Sequence, residues 1–122
     1  MPTTMSSTRA VVDQYFDALK RKDFVAMRTL LHDDVTFKGA LGATEGAEEY
    51  IGSLKKLTEP MIGVERQVVC GDGEDICQIY DLTFETPAVT LPIAQWLTIR
   101  DNRITRVRVF FDPRPLLQPA PA

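Results

Sequence analysis

Two apolar rhythms divide this chain near residue 60, and that division limits its fold more than any other feature. Before it, apolar side chains return every three or four positions. Val11, Val12, Tyr15, Phe16 and Leu19 form one stripe, Phe24, Met27, Leu30 and Leu31 a second, and Ala47, Tyr50, Ile51, Leu54 and Leu57 a third. Each has the period of an amphipathic helix. Beyond it the pattern is strand-like in four runs: Val64 to Cys70, Ile76 to Glu85, Pro92 or Ile93 to Arg100, and Ile104 to Phe111. Helices followed by an antiparallel meander predict an α+β fold.

Local chemistry punctuates these elements. Ser6, Ser7 and Thr8 offer N-cap oxygens to the first helix, and Lys20, Arg21 and Lys22 place positive charge at its C-terminal end. Asp23 caps the second helix, which runs out near His32. Val35 to Lys38 reads as a brief strand, broken by Gly39 and Gly42. Gly46 opens the third helix, with Glu48 and Glu49 near its positive end and Lys55 and Lys56 near its negative end. The stretch GDGED from Gly71 is a turn, Thr86-Pro87 interrupts the next strand, and Asp101-Asn102 makes a tight turn without the favoured Asn-Gly pair. The tail from 113 to 122 is proline-rich and expected to be extended or frayed.

Size and charge narrow the function classes. The 122 residues predict one domain over 1–122, with its core at about 8–112. A net charge of −3 argues against a nucleic-acid partner, which needs a basic face. The basic run from Arg103 to Arg108 alternates like one face of a strand. No apolar stretch approaches the ~20 residues of a membrane span, and MPTTMSSTRA lacks the apolar centre of a signal peptide. A cytoplasmic location with reduced thiols is expected. Cys70 and Cys77 flank the GDGED turn. A cross-strand disulfide is one option there, and two buried free thiols are the preferred reading. One His and two separated Cys give no zinc spacing, so no transition-metal site is expected. His32, Asp33 and Asp34 look chemical but read as structure: a histidine near the negative end of a helix and a solvated turn into a strand.

The segments VVDQYFDALKRKDFVAMRTLLHDDVTF, EGAEEYIGSL and PIAQWLTIRDNRITRVRVFFD resemble the SnoaL-like and ketosteroid-isomerase-like families, which share the cone fold of nuclear transport factor two. The resemblance covers residues 8 to 112. It implies three N-terminal helices packed in the concave face of a curved, mainly antiparallel sheet, a cystatin-like cone, with a pocket between them. It also implies that Phe37, Gly39, Cys77, Ile79, Asp81, Thr83, Ala94, Trp96, Thr98, Val107, Val109 and Phe111 face inward, and that Tyr15 points into the same space. The tyrosine donor of the isomerases matches Tyr15. Their base would fall at Gly39 and their acid donor at Ala94, and neither residue has the needed group, so ketosteroid isomerisation is not expected. The Asp-Arg-Asp arrangement of the limonene-epoxide hydrolases has no counterpart, because Arg106 and Arg108 fall on the other strand face and no arginine faces inward.

One inward carboxylate remains in that reading. Asp81 in an apolar pocket would be desolvated and suited to proton transfer, with Tyr15 orienting the substrate and Phe37, Gly39, Ile79, Thr83, Trp96, Thr98, Val109 and Phe111 lining the site. Two alternatives stand beside it. Asp81 and Tyr15 satisfy each other by a buried hydrogen bond, or a one-residue slip sends Asp81 to solvent and brings Tyr80 inward. The function expected is binding of a small hydrophobic molecule. Acid–base isomerase, cyclase or hydrolase chemistry without a cofactor is set against a non-catalytic binding or dimerisation module. The outer face would carry Gln78, Tyr80, Leu82, Phe84, Gln95, Leu97, Ile99 and Phe110, apolar enough to predict a homodimer through it.

Overall fold

The computed structural model describes residues 4–85 and 87–117, with side chains from Thr8 onward. Helix α1 spans Thr4–Arg21 and buries the predicted stripe, with Val12 and Tyr15 fully enclosed. It is already helical at Thr4, so Ser6, Ser7 and Thr8 stand within the helix and not ahead of it. Helix α2, Phe24–Thr29, begins where Asp23 accepts the Ala26 N–H at 3.0 Å. Helix α3, Ala47–Thr58, follows Gly46, whose φ of +91° favours glycine, and has acids in its first turn and lysines in its last.

Six strands form one sheet in the order β2-β1-β6-β5-β4-β3. They are β1 Leu31–Gly39, β2 Gly42–Glu45, β3 Met61–Asp72, β4 Asp75–Phe84, β5 Val89–Arg100 and β6 Arg103–Phe110. All neighbours are antiparallel except β1 and β6, which are parallel. The short β2 was not expected, and β1, β3 and β5 begin three or more residues earlier than the alternation suggested. Asp101 and Asn102, with φ of +52° and +62°, supply the two left-handed residues of a tight hairpin. A short helix α4, Arg114–Leu117, forms in the proline-rich tail. The rest of that tail and Thr86 lie outside the described residues.

All three long elements of helix sit on one face of the sheet. Helix α1 packs on β3 and β5, α3 on β1 and β2, and α2 touches both helices and β1. The buried sheet residues are Ile76, Gln78, Tyr80, Leu82 and Phe84 on β4 and Leu91, Ile93, Gln95 and Leu97 on β5. Of these, Gln78, Tyr80, Leu82, Phe84, Gln95 and Leu97 were expected on the outer face, so the expected facing of β4 and β5 is reversed. Cys77, Ile79, Asp81, Thr83, Ala94 and Trp96 face outward instead. On β1 and β6 the expected facing holds: Phe37 is opposite Val107, and Val107 and Val109 point inward.

A single bulge accounts for the reversal. Counted back from the Asp101–Asn102 turn without interruption, Trp96 would stand opposite Val107 on the inner face. The observed pairing instead runs Ile99 to Ile104 and then Thr98 to Arg106, leaving Thr105 as an extra residue. Leu97 therefore meets Val107, and Trp96 meets Arg108 outside.

Candidate functional site

Between the helices and the inner face lies a cavity of about 280 Å³. Its exposed lining residues, Ala40 and Leu41 in the β1–β2 turn, Gly42 and Ala43 at the start of β2 and Ser53 on α3, mark the mouth. Its deep end is formed by Tyr15, Tyr50, Tyr80 and Gln95, all buried. The walls between are apolar: Leu54 and Leu57 from α3, Phe37 from β1, Leu82, Phe84, Leu91 and Ile93 from the central strands, and Val109 and Phe111 at the end of β6. The chain has three tyrosines, and all of them line this cavity.

The polar groups at the deep end are connected. Tyr15 and Tyr50 share a short hydroxyl–hydroxyl hydrogen bond. Gln95 Nε2 donates to Tyr15 Oη at 3.3 Å, and Gln78 Nε2 donates to Gln95 Oε1 at 2.8 Å. Tyr80 is 4% exposed and makes no hydrogen bond among the described residues. Among the described residues, the buried side-chain atoms without a hydrogen bond are Arg9 Nε, which lies 3.9 Å from Asp13 Oδ1, and Thr44 Oγ1. Thr44 also lines the cavity, opposite Phe37, with its hydroxyl unbonded.

Chemically, the site offers neutral donors in an apolar enclosure. No Asp, Glu, His, Lys, Arg or Cys occurs among the described residues that line it. Burial raises the pKa of Tyr15, opposed by its hydrogen bonds to Tyr50 and Gln95. Burial also holds Tyr50 and Tyr80 well above the ordinary tyrosine value. The three hydroxyls stay protonated, and with one proton held in the Tyr15–Tyr50 bond the others can donate to a ligand oxygen.

Tyr15, Phe37, Val109 and Phe111 are therefore brought together in the cavity, and the other expected site residues are not. Asp81 lies on the outer face, opposite Glu65 and Pro92, where its carboxylate accepts from Gln67 Nε2 at 3.2 Å. Ile79 is 41% exposed on that face, and Thr83 bonds Thr90 there at 3.0 Å. Trp96 Nε1 and Thr98 Oγ1 both donate to Asp75 Oδ1, at 3.0 and 2.9 Å, and the Trp96 bond is the larger reason that the Asp75 carboxyl is held below its usual range. Gly39 borders a shallow depression beside the cavity mouth. A Cβ there would lie 2.7 Å from the Phe37 ring, so glycine leaves room for that ring to line the cavity. Ala94 also faces out, and the inward polar residue beside Tyr15 is Gln95.

Two further expectations change. An arginine does sit on the inner side of the sheet: Arg66, opposite Tyr80 on β3, outside the cavity lining. Cys70 and Cys77 are free as expected but exposed, with their Cα atoms directly opposed. The His32 cluster is structural. His32 Nδ1 accepts the Asp34 N–H at 3.0 Å, and Asp33 pairs with Arg28 at 2.8 Å, which lowers its pKa.

The outer face has its own pattern. Val68, Ile79, Ala94 and Phe110 stand in one row across β3 to β6. Val68 is 47% and Phe110 56% exposed. Glu65 and Asp81 flank this row on one side. On the other, Arg108 and Arg106 lie over the Trp96 ring at 5.6 and 5.4 Å.

A curved sheet wrapped on three helices around a deep apolar pocket defines the cone fold of the nuclear transport factor two-like proteins. Residues 12–107 match the SnoaL-like domain, and the chain belongs to that family. An NTF2-like protein of unknown function from Cytophaga hutchinsonii is 29% identical, with a TM-score of 0.79 over 97% of this chain and 100% of that one. A putative ketosteroid isomerase from Kribbella flavida is 21% identical, with a TM-score of 0.80 over 98% and 94%. An LEH-like epoxide hydrolase from M. tuberculosis is 19% identical, with a TM-score of 0.77 over 92% and 87%. The last two likenesses are of fold. No curated protein matches. Among the described residues no helix is long and apolar enough to cross a membrane.

Proposed function

We propose that this chain binds a small, largely apolar molecule, with one oxygen acceptor seated at the Tyr15–Tyr50 pair. The observation that carries the reading is the chemistry of the cavity: apolar walls and a deep end of neutral hydroxyl donors. A pocket with a few convergent polar groups in an apolar lining suits such a ligand. Acid–base turnover by an isomerase, cyclase or hydrolase needs a proton acceptor within reach. Among the described residues the lining supplies no carboxylate or histidine, and Asp81 is on the opposite face. The binding role is therefore favoured over catalysis, with the Tyr15–Tyr50 pair as the ligand donor.

The test compares 1-indanone with indane, which has the same rings and no oxygen. The ketone is expected to bind more tightly, and Tyr50→Phe to remove about 1 kcal/mol, roughly fivefold in affinity. Equal binding of the two probes overturns the reading. Protein-accelerated exchange of the ketone's α-protons in D₂O would return the acid–base enzyme to first place.

We also infer a homodimer through the outer face, supported by the row Val68, Ile79, Ala94 and Phe110, in which all but the half-buried Ala94 are exposed. Its flanks are oppositely charged, Glu65 and Asp81 at one corner and Arg106 and Arg108 at the other. A two-fold axis crossing the row places the acidic corner of one copy over the basic corner of its partner.

A further inference from the structure

An arginine side chain only donates hydrogen bonds. That rule sets the direction of the side-chain hydrogen bonds that run from Arg66 to the cavity. Arg66 Nη1 donates to Asp13 Oδ1 at 2.9 Å and reaches Gln78 Oε1 at 3.5 Å, while the guanidinium lies 5.1 Å from the centre of the Phe16 ring. Gln78 is completely buried. With its carbonyl turned to Arg66, its NH₂ group faces Gln95 and donates to Gln95 Oε1. The Gln95 carbonyl is thereby occupied, and its NH₂ group donates to Tyr15 Oη. Tyr15 accepts that bond, so of the two phenol protons one lies in the Tyr15–Tyr50 bond, in which either oxygen can be the donor, and the other is left for the cavity.

We propose that Arg66, by orienting the Gln78–Gln95–Tyr15–Tyr50 chain, is a positioning residue that makes the cavity select a carbonyl oxygen over an N–H donor. The ligand half of this statement rests on the binding function proposed above; the orientation half does not. A glutamine amide can turn over and exchange its donor and acceptor ends. Without a one-way donor at Arg66, both glutamines are free to reverse, Tyr15 then donates to Gln95, and the deep end offers lone pairs. A purely structural role, as partner of Asp13 and cover for Phe16, predicts no such effect on Tyr50.

The experiment uses the full chain with ¹⁵N-labelled glutamine side chains. Arg66→Met keeps the apolar stem without the donors, Arg66→Gln both donates and accepts, and Arg66→Lys restores a donor-only group. The Gln95 side-chain amide and the Tyr50 ring resonances are expected to shift in Arg66→Met and Arg66→Gln and to return in Arg66→Lys. Either of the first two carries the test if the other does not fold. In parallel, 1-indanone and indole present a carbonyl or an N–H on similar bicyclic frames. The unaltered protein is expected to prefer the ketone about tenfold, a preference that narrows at least threefold in the Met and Gln variants and recovers in Lys. Unmoved Gln95 and Tyr50 signals in a folded variant overturn the orienting role. Moved signals with an unchanged ketone preference overturn the selectivity. If neither probe binds the unaltered protein, the binding function fails for such ligands, and the resonances still decide the role of Arg66.

Discussion

Tyr15, Tyr50 and Tyr80 each lose the solvent that a phenolate needs, and this makes their titration a direct measure of the cavity. Their folded pKa values are raised, chiefly by burial. The stabilisation from holding them neutral is complete below the unfolded value near 10 and is lost as pH rises through the folded values. No tyrosinate absorbance is expected in the native protein below that value, and its appearance should coincide with alkaline unfolding. A tyrosine that ionises near pH 10 in folded protein would show a solvated site. The stripe on α1 made Tyr15 visible in the sequence. Tyr50 was legible only as a buried residue of the third stripe, and Gln95 was assigned to the wrong face. A signal for it was present: Gln78 and Gln95 are each the lone polar member of an otherwise bulky apolar alternation, which marks a buried pair that must bond each other.

Among the elements, β4 and β5 carry the lesson about register. Both faces of each strand contain apolar residues, so alternation alone left two facings open. The polar residues Asp81 and Thr83 sit together on one face, with Leu82 and Phe84 on the other, and the larger apolar pair is the buried one. With Asp81 on the outer face, Asp81→Asn should change stability by no more than about 0.5 kcal/mol and leave 1-indanone affinity unchanged. A loss of binding would put the carboxylate back at the cavity. The β3–β4 hairpin is less tolerant. Gly71 has φ of +98°, and a Cβ there would lie 2.7 Å from the Asp75 carbonyl oxygen. Gly71→Ala should therefore destabilise by about 1–3 kcal/mol in denaturant unfolding. A neutral result would mean that the turn relaxes freely.

For the whole molecule, helices on one face and an apolar row on the other separate ligand binding from association. The proposed dimer should sediment as such at micromolar concentration, and the double variant Ile79→Glu, Phe110→Glu should be monomeric with unaltered 1-indanone affinity. A monomeric parent protein would remove the dimer and leave the cavity untouched. The sequence by itself determined the helices, the strands of the second half and the α+β class, because apolar period and capping chemistry act within a few residues. The inward facing of Phe37, Val107, Val109 and Phe111 came from the family resemblance that the sequence carries. The tertiary structure alone decided which faces of β4 and β5 meet the helices, and with that whether the cavity holds a carboxylate or a chain of glutamines and tyrosines. That choice turned on one extra residue, Thr105, between paired strands. A bulge is settled by packing across the sheet, since a shift of one position moves every following side chain to the other face.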